Sequence, residues 1–128
     1  MTIKSPQTLV AEAMNEVKTI TPEEAMILDK ENKCNLIDIR DEAELENLGT
    51  IENSFHIPIV LLEFSIHPES PYVQNNQIDL SKELVLFCAA GGRAALAAKT
   101  LKDMGFKKVS HTEGGFGLMT QKGFKIKS

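Results

Sequence analysis

An α/β fold built on a mainly parallel sheet is the class this sequence predicts, and three observations predict it. Short β-branched or apolar runs, Asn35-Leu36-Ile37-Asp38-Ile39, Leu84-Val85-Leu86-Phe87 and Lys108-Val109-Ser110-His111, alternate with stretches of helical pattern. The Leu84 to Phe87 run is apolar throughout, as a strand covered on both faces has to be. Asp38, Arg40 and Cys88 fall at the carboxyl ends of such runs, where open α/β sheets gather their ligands. Parallel neighbours joined through helices cross over right-handed, which puts those ends on one edge of the sheet.

Taken in order, residues 7 to 18 carry Leu9, Val10, Ala13, Met14 and Val17 at helical spacing, which predicts an amphipathic helix packed across the body. Thr21-Pro22-Glu23-Glu24 is a helix start: Thr caps, Pro takes the first helical position, and Glu24 closes a capping box. That helix should reach about Lys30. The strand from Asn35 to Ile39 then ends at Arg40-Asp41. A helix from Asp41 to Leu48 has acid in its first turn and Gly49 to end it. A brief strand over Ser54 to Ile57 stops at Pro58. Ile59 to Ile66 is expected to be helical, and His67-Pro68-Glu69-Ser70-Pro71 irregular, since each Pro lacks a donor and restricts its predecessor. After the Leu84 to Phe87 strand, Arg93 to Met104 is a helix closed by Gly105, Lys108 to His111 a strand, and Gly114-Gly115 the start of a last short helix.

The length, 128 residues, suits one domain with a proper core, and a 42% apolar, 25% charged composition is that of an ordinary soluble protein. No apolar run is long enough for a membrane span, and the start, Met1-Thr2-Ile3-Lys4-Ser5-Pro6, lacks an apolar signal core, so a cytoplasmic location is expected. The net charge of −4, with no basic run longer than Lys107-Lys108, argues against nucleic acid as a partner. Cys34 and Cys88 show neither C-x-x-C spacing nor a zinc-ligand arrangement, so neither a metal site nor a structural disulfide is expected.

Cys88 is the candidate nucleophile. It stands where a strand hands over to a helix, followed by Ala89, Ala90, Gly91, Gly92 and Arg93. An ordinary thiol is only about 3% ionised at neutral pH, and half ionisation asks for about 2 kcal/mol in favour of the thiolate. A helix N-terminus supplies about 0.3 to 1 kcal/mol, so further donors are required. Backbone N–H groups of Ala89 to Arg93 turned inward would provide them, with Arg93 adding a fixed charge and Gly91 and Gly92 allowing positive φ. The commoner fate of a free cysteine is that of a small buried hydrophobe, but two glycines, an arginine and a helix behind it make Cys88 a particular case. Cys34, preceded by Lys33 and entering a strand, has no such loop and is expected to be structural.

At this point the chain resembles the rhodanese-like sulfurtransferases from Thr21 to Gly123. Leu36 to Arg40 with Glu44 is similar to that family's leading Asp-x-Arg motif. Gly49-Thr50-Ile51 with Ile57-Pro58 is similar to its Gly-His-Ile to Ile-Pro segment, and Cys88 to Arg93 to its C-x-x-G-x-R loop. Ala97, Leu101, Gly105-Phe106 and Val109 match the helix and strand that follow, and Gly114-Gly115 and Gly123 the closing motif. Ala94 stands where Ser or Thr often follows the loop arginine, Thr50 where His is common, and Met119 where Trp is frequent.

The resemblance implies a central mainly parallel sheet flanked by helices on both faces, formed by residues 21–128, with residues 1–20 as a helical extension packed upon it. It implies a sulfurtransferase that needs no metal or organic cofactor. Cys88 would take a sulfane sulfur from a small anionic donor such as thiosulfate and pass it from a persulfide to a thiol, cyanide or protein acceptor. Arg93 would steady the loop and the anionic sulfur. Ala89, Ala90, Gly91 and Gly92 would form the cradle. For Arg40 two roles stand open, attraction of the donor or a structural salt bridge, and Asp38 would brace the site. A cysteine phosphatase or arsenate reductase is the nearest enzymatic alternative, but its C-x5-R loop has one residue more than the four between Cys88 and Arg93. A sulfur relay or a partner-binding module of the same fold is the other. His56, His67 and His111 are isolated and expected to pack rather than react.

Overall fold

The computed structural model of the chain describes residues 2–128. The central sheet has five strands in the order β1-β6-β5-β2-β4, all parallel. They are β1 (Lys18–Ile20), β2 (Cys34–Asp38), β4 (Ser54–His56), β5 (Glu83–Phe87) and β6 (Val109–Thr112). A second, antiparallel pair joins β3 (Thr50–Ile51) to β7 (Ile126–Lys127). The helices are α1 (Pro6–Met14), α2 (Pro22–Lys30), α3 (Glu42–Leu48), α4 (Leu62–Ile66), α5 (Pro71–Gln74), α6 (Gly92–Met104) and α7 (Gly115–Gln121).

Strand periodicity divides the core between the two faces of the sheet. Along β5, Leu84 and Leu86, followed by Cys88, point to the side covered by α4 and α6, where they meet Ile37, Ile39, Leu62, Ile66 and Leu101. Val85 and Phe87 point to the other side, where Ala25, Phe116, Met119 and Phe124 close over them. Each fully buried Leu or Ile contributes about 1.5–3 kcal/mol to that closure. α6 turns Ala94, Ala95, Ala97 and Ala98 inward, so its backbone lies close to the sheet and its first turn arrives beside the end of β5.

Caps fall where the sequence places them. Thr21 Oγ1 accepts the Glu24 N–H at 3.1 Å while Glu24 accepts the Thr21 N–H at 3.0 Å, and Pro22 opens the helix. Gly49 ends α3 at φ 75° and Gly105 ends α6 at φ 113°. Two expectations are corrected. The first helix stops at Met14 rather than Lys18, and Lys18–Ile20 instead adds an edge strand against β6. The expected helix over Ile59 to Ile66 is a 3-10 turn at Ile59–Leu61 followed by α4, and after the irregular His67 to Ser70 a short α5 begins at Pro71. The β3–β7 pair has no counterpart in the sequence reading.

Candidate active site

The carboxyl ends of β2 and β5 lie side by side, because Asp38 pairs in register with Phe87 and the Ile39 N–H continues the ladder to the Phe87 carbonyl at 3.0 Å. Cys88 is therefore delivered next to the Asp38-Ile39-Arg40 corner. From there the chain turns through Ala89 and Ala90 to Gly91, which caps α6 at φ 115°. A side chain at that φ is strained, so the turn requires glycine.

Cys88 is 1% exposed, and its sulfur is not an idle packing atom. Sγ accepts the Gly91 N–H at 3.1 Å and the Ala94 N–H at 3.4 Å. Both donors belong to the cap and first turn of α6, where N–H groups have no partner within the helix and the helix dipole presents its positive end. Of the inward donors expected between Ala89 and Arg93, Gly91 reaches the sulfur. The second donor is Ala94, one residue beyond, at the position where the resemblance marked a missing hydroxyl.

The loop is held from beneath by the start of α7. The Phe116 N–H donates to the Cys88 carbonyl at 2.7 Å and the Gly117 N–H to the Ala89 carbonyl at 3.2 Å. So close an approach requires Gly115, where an added Cβ would lie 2.4 Å from the Cys88 carbonyl oxygen. These carbonyls, satisfied from α7, leave the N–H side of the loop turned toward Sγ.

Arg40 and Asp38 are both completely buried, and this removes Arg40 from direct contact with a donor. Of its two open roles the structure takes the salt bridge. Arg40 Nε and Nη2 donate to the Asp38 carboxylate at 3.0 and 2.8 Å, Nη2 also donates to the Gly49 carbonyl at 2.7 Å, and Thr50 Oγ1 donates to Asp38 Oδ2 at 2.5 Å. The guanidinium carbon lies 4.0 Å from the centre of the Phe116 ring, a cation–π contact, and Nη1 has no hydrogen-bond partner among the described residues. The pair thus braces Phe116, whose N–H in turn holds the Cys88 carbonyl. Asp38 takes the bracing position expected of it, and Arg40 joins it in a wholly buried pair behind the loop.

Arg93, half-buried at the mouth of the loop, turns its guanidinium to Glu44 on α3. Nη1 and Nη2 meet Oε1 and Oε2 at 2.9 and 3.0 Å, and Glu44 Oε1 also accepts the Asp41 N–H at 3.0 Å. The Arg93 bonds hold the Glu44 carboxyl down at about 2. Glu44 stands in the leading motif, but nothing local in the sequence announces that it grips the arginine at the far end of the loop.

The histidines do not converge on Cys88. His56 Nε2 lies 2.7 Å from the Arg40 carbonyl and His67 Nδ1 accepts the Glu69 N–H. His111, whose pKa burial lowers, bonds Thr19 at 2.7 Å. Met119 is fully buried with its sulfur 3.5 Å from Thr112 Oγ1. Cys34, at the opposite end of the sheet, has its thiol pushed up to about 12 by burial first and by Asp29 and Glu83 next. Among the described residues no group of three or more His, Cys, Asp or Glu is placed to hold a metal ion, and no helix is long and apolar enough to cross a membrane.

Known proteins are similar to this chain. Thiosulfate sulfurtransferase GlpE of Pseudomonas syringae pv. syringae is 35% identical over 107 residues, 82% of this chain and 89% of its own length. A solved structure from Rhodopseudomonas palustris, described as a protein of unknown function and possible tyrosine phosphatase, matches with a TM-score of 0.84 at 41% identity, over 99% of this chain and 98% of that one. The polysulfide-sulfur transferase homodimer of Wolinella succinogenes matches with a TM-score of 0.73 at 32% identity, over 94% and 85% of the two chains. The model of the rhodanese-like domain matches residues 21–121, spanning β2, the Cys88 loop and α7, and the chain belongs to that family.

Proposed function

We propose that this protein is a sulfurtransferase that carries a sulfane sulfur on Cys88, from a donor such as thiosulfate to a thiol, cyanide or protein acceptor, in the cytoplasm. The observation that carries the reading is the seat of the Cys88 sulfur, which takes the Gly91 and Ala94 N–H groups at the N-terminus of α6. Those donors favour negative charge on sulfur, as a nucleophilic thiolate and as the persulfide that follows require. The thiolate attacks the outer sulfur of the donor. A new S–S bond forms, and the donor's own bond to that sulfur breaks, its electron pair leaving with sulfite when the donor is thiosulfate. The acceptor then attacks the terminal sulfur and regenerates the thiolate. This two-step covalent scheme is balanced without an oxidant and predicts ping-pong kinetics. Ala89 and Ala90 shape the turn, Gly91 and Gly92 let it close, and Arg93 fixes the charge at its mouth.

The Rhodopseudomonas relative makes phosphatase chemistry the second reading. Four residues between Cys88 and Arg93 enclose room for about one sulfur, and two of the N–H groups at that turn are already spent on Sγ. Both activities are measurable on one sample, by thiocyanate formation from thiosulfate and cyanide and by hydrolysis of an aryl phosphate. Thiocyanate formation with parallel initial-rate lines, and no phosphate release, is the expected result. Phosphate release without thiocyanate would overturn the reading.

A further inference from the structure

We infer that Glu44 is a specificity-determining residue that turns the Cys88 site toward sulfur donors carrying one negative charge or none at the reacting end, organic persulfides among them, and away from dianions. This rests on the sulfurtransferase reading above. The loop offers an incoming donor a single cation, because Ala89 and Ala90 are neutral and Arg40 is wholly buried against Asp38. That cation, Arg93, is matched along both of its terminal nitrogens by the Glu44 carboxylate, at 2.9 and 3.0 Å. Asp41, whose N–H is bonded to Glu44, adds a second carboxylate acting on Arg93. The one guanidinium at the mouth of the site is thus neutralised by the Glu44 carboxylate, with the charge of Asp41 nearby. An approaching donor feels this potential in proportion to its charge, so a dianion is opposed about twice as strongly as a monoanion. The backbone donors at Sγ are indifferent to the distinction, since they serve the transferred sulfur in every case.

The reaction is balanced for each donor class. With an organic persulfide anion, the Cys88 thiolate bonds to the terminal sulfur, the donor S–S bond breaks, and its electron pair leaves with an organic thiolate. With a thiosulfonate the pair leaves with a sulfinate. Oxidation state is redistributed within the donor and Cys88, and no external oxidant enters.

Two stable donors of matched chemistry separate charge from reactivity: thiosulfate, a dianion, and methanethiosulfonate, a monoanion. kcat/KM for each is measured with cyanide as acceptor, on the parent and on Glu44→Gln, at low salt and near 1 M salt. Loss of the Glu44 charge should raise the ratio of thiosulfate to methanethiosulfonate roughly three- to tenfold at low salt, and the gain should shrink at high salt. In the parent, salt alone should raise the same ratio, a readout that requires no variant. If Glu44 only positions Arg93, both donors fall together and the ratio stays put, which overturns the inference. A parent ratio that falls with salt overturns it as well, since the mouth would then attract dianions. Transfer from neither donor overturns the sulfurtransferase reading itself, an outcome distinct from transfer by both with an unmoved ratio.

Discussion

Two cysteines stand on neighbouring parallel strands, Cys34 at the first residue of β2 and Cys88 one residue past the last of β5, and their surroundings are opposite in sign. Cys88 meets N–H groups at the start of α6. Cys34 follows the end of α2, where helix carbonyls point outward, and faces Asp29 and Glu83, so its thiol is pushed up to about 12. In a parallel sheet with helical crossovers, each strand leads into a helix N-terminus and each helix C-terminus leads into a strand. The carboxyl edge therefore collects donors and stabilises anions, while the amino edge collects acceptors and keeps a thiol neutral. The fold sets this difference between its two edges before any side chain is chosen.

The carboxyl edge should also hold the costlier interactions. Arg40→Met would leave the Asp38 carboxylate buried without its partner and should cost about 3–5 kcal/mol in urea unfolding, with a matching loss of sulfur transfer. At the amino edge, Lys33→Met removes only an exposed bridge to Glu31 and should stay within about 0.5 kcal/mol. Similar costs at both positions would break the comparison.

A smaller effect is expected where the loop rests on α7. Gly115→Ala sets a Cβ against the Cys88 carbonyl at a φ of 58° and should cost about 1–3 kcal/mol together with most of the activity. Gly105→Ala, at a φ of 113° with nothing within 4 Å of the new Cβ, should lose stability through the backbone alone and keep its kcat. Equal loss of activity in the two variants would show that the support under Cys88 is not specific.

The two edges should also answer to opposite ends of the pH scale. The folded Cys34 thiol stays protonated to about 12, whereas in the unfolded chain it ionises near the ordinary value of about 8.5. The folded state then holds the extra proton, so stability falls as pH rises above about 8.5, and Cys34→Ala should flatten that alkaline decline. Glu44 behaves in reverse. Its carboxyl is held at about 2 by Arg93, so its contribution is complete above the unfolded value of about 4.3 and is lost as pH falls toward 2. Glu44→Gln should flatten the acid limb by a smaller amount, because this pair is partly open to solvent. Chemical denaturation across pH measures both slopes.

What was legible in the sequence was local. The Thr21 capping box, the Gly49 and Gly105 stops, and the Cys88 loop with its following helix each fit within a few residues, and each is found where the pattern puts it. β1 was hidden because the helical spacing of Leu9 to Met14 continues by coincidence to Val17, and only the neighbouring β6 makes Lys18–Ile20 a strand. β3 and β7 are two residues each, too short to show a period, and pair across most of the chain. At the site, the position of Cys88 was readable while the burial of Arg40, the grip of Glu44 on Arg93 and the bonds from α7 to the loop were not. All three depend on elements brought together from distant parts of the chain.

The edge of the sheet should decide which cysteine takes up sulfur. Intact-mass measurement after incubation with thiosulfate or methanethiosulfonate, on the parent, Cys88→Ser and Cys34→Ser, tests it most directly. One added sulfur atom on the parent and on Cys34→Ser, removable by cyanide and absent from Cys88→Ser, is the predicted result. An adduct that survives in Cys88→Ser, or that disappears in Cys34→Ser, would contradict it.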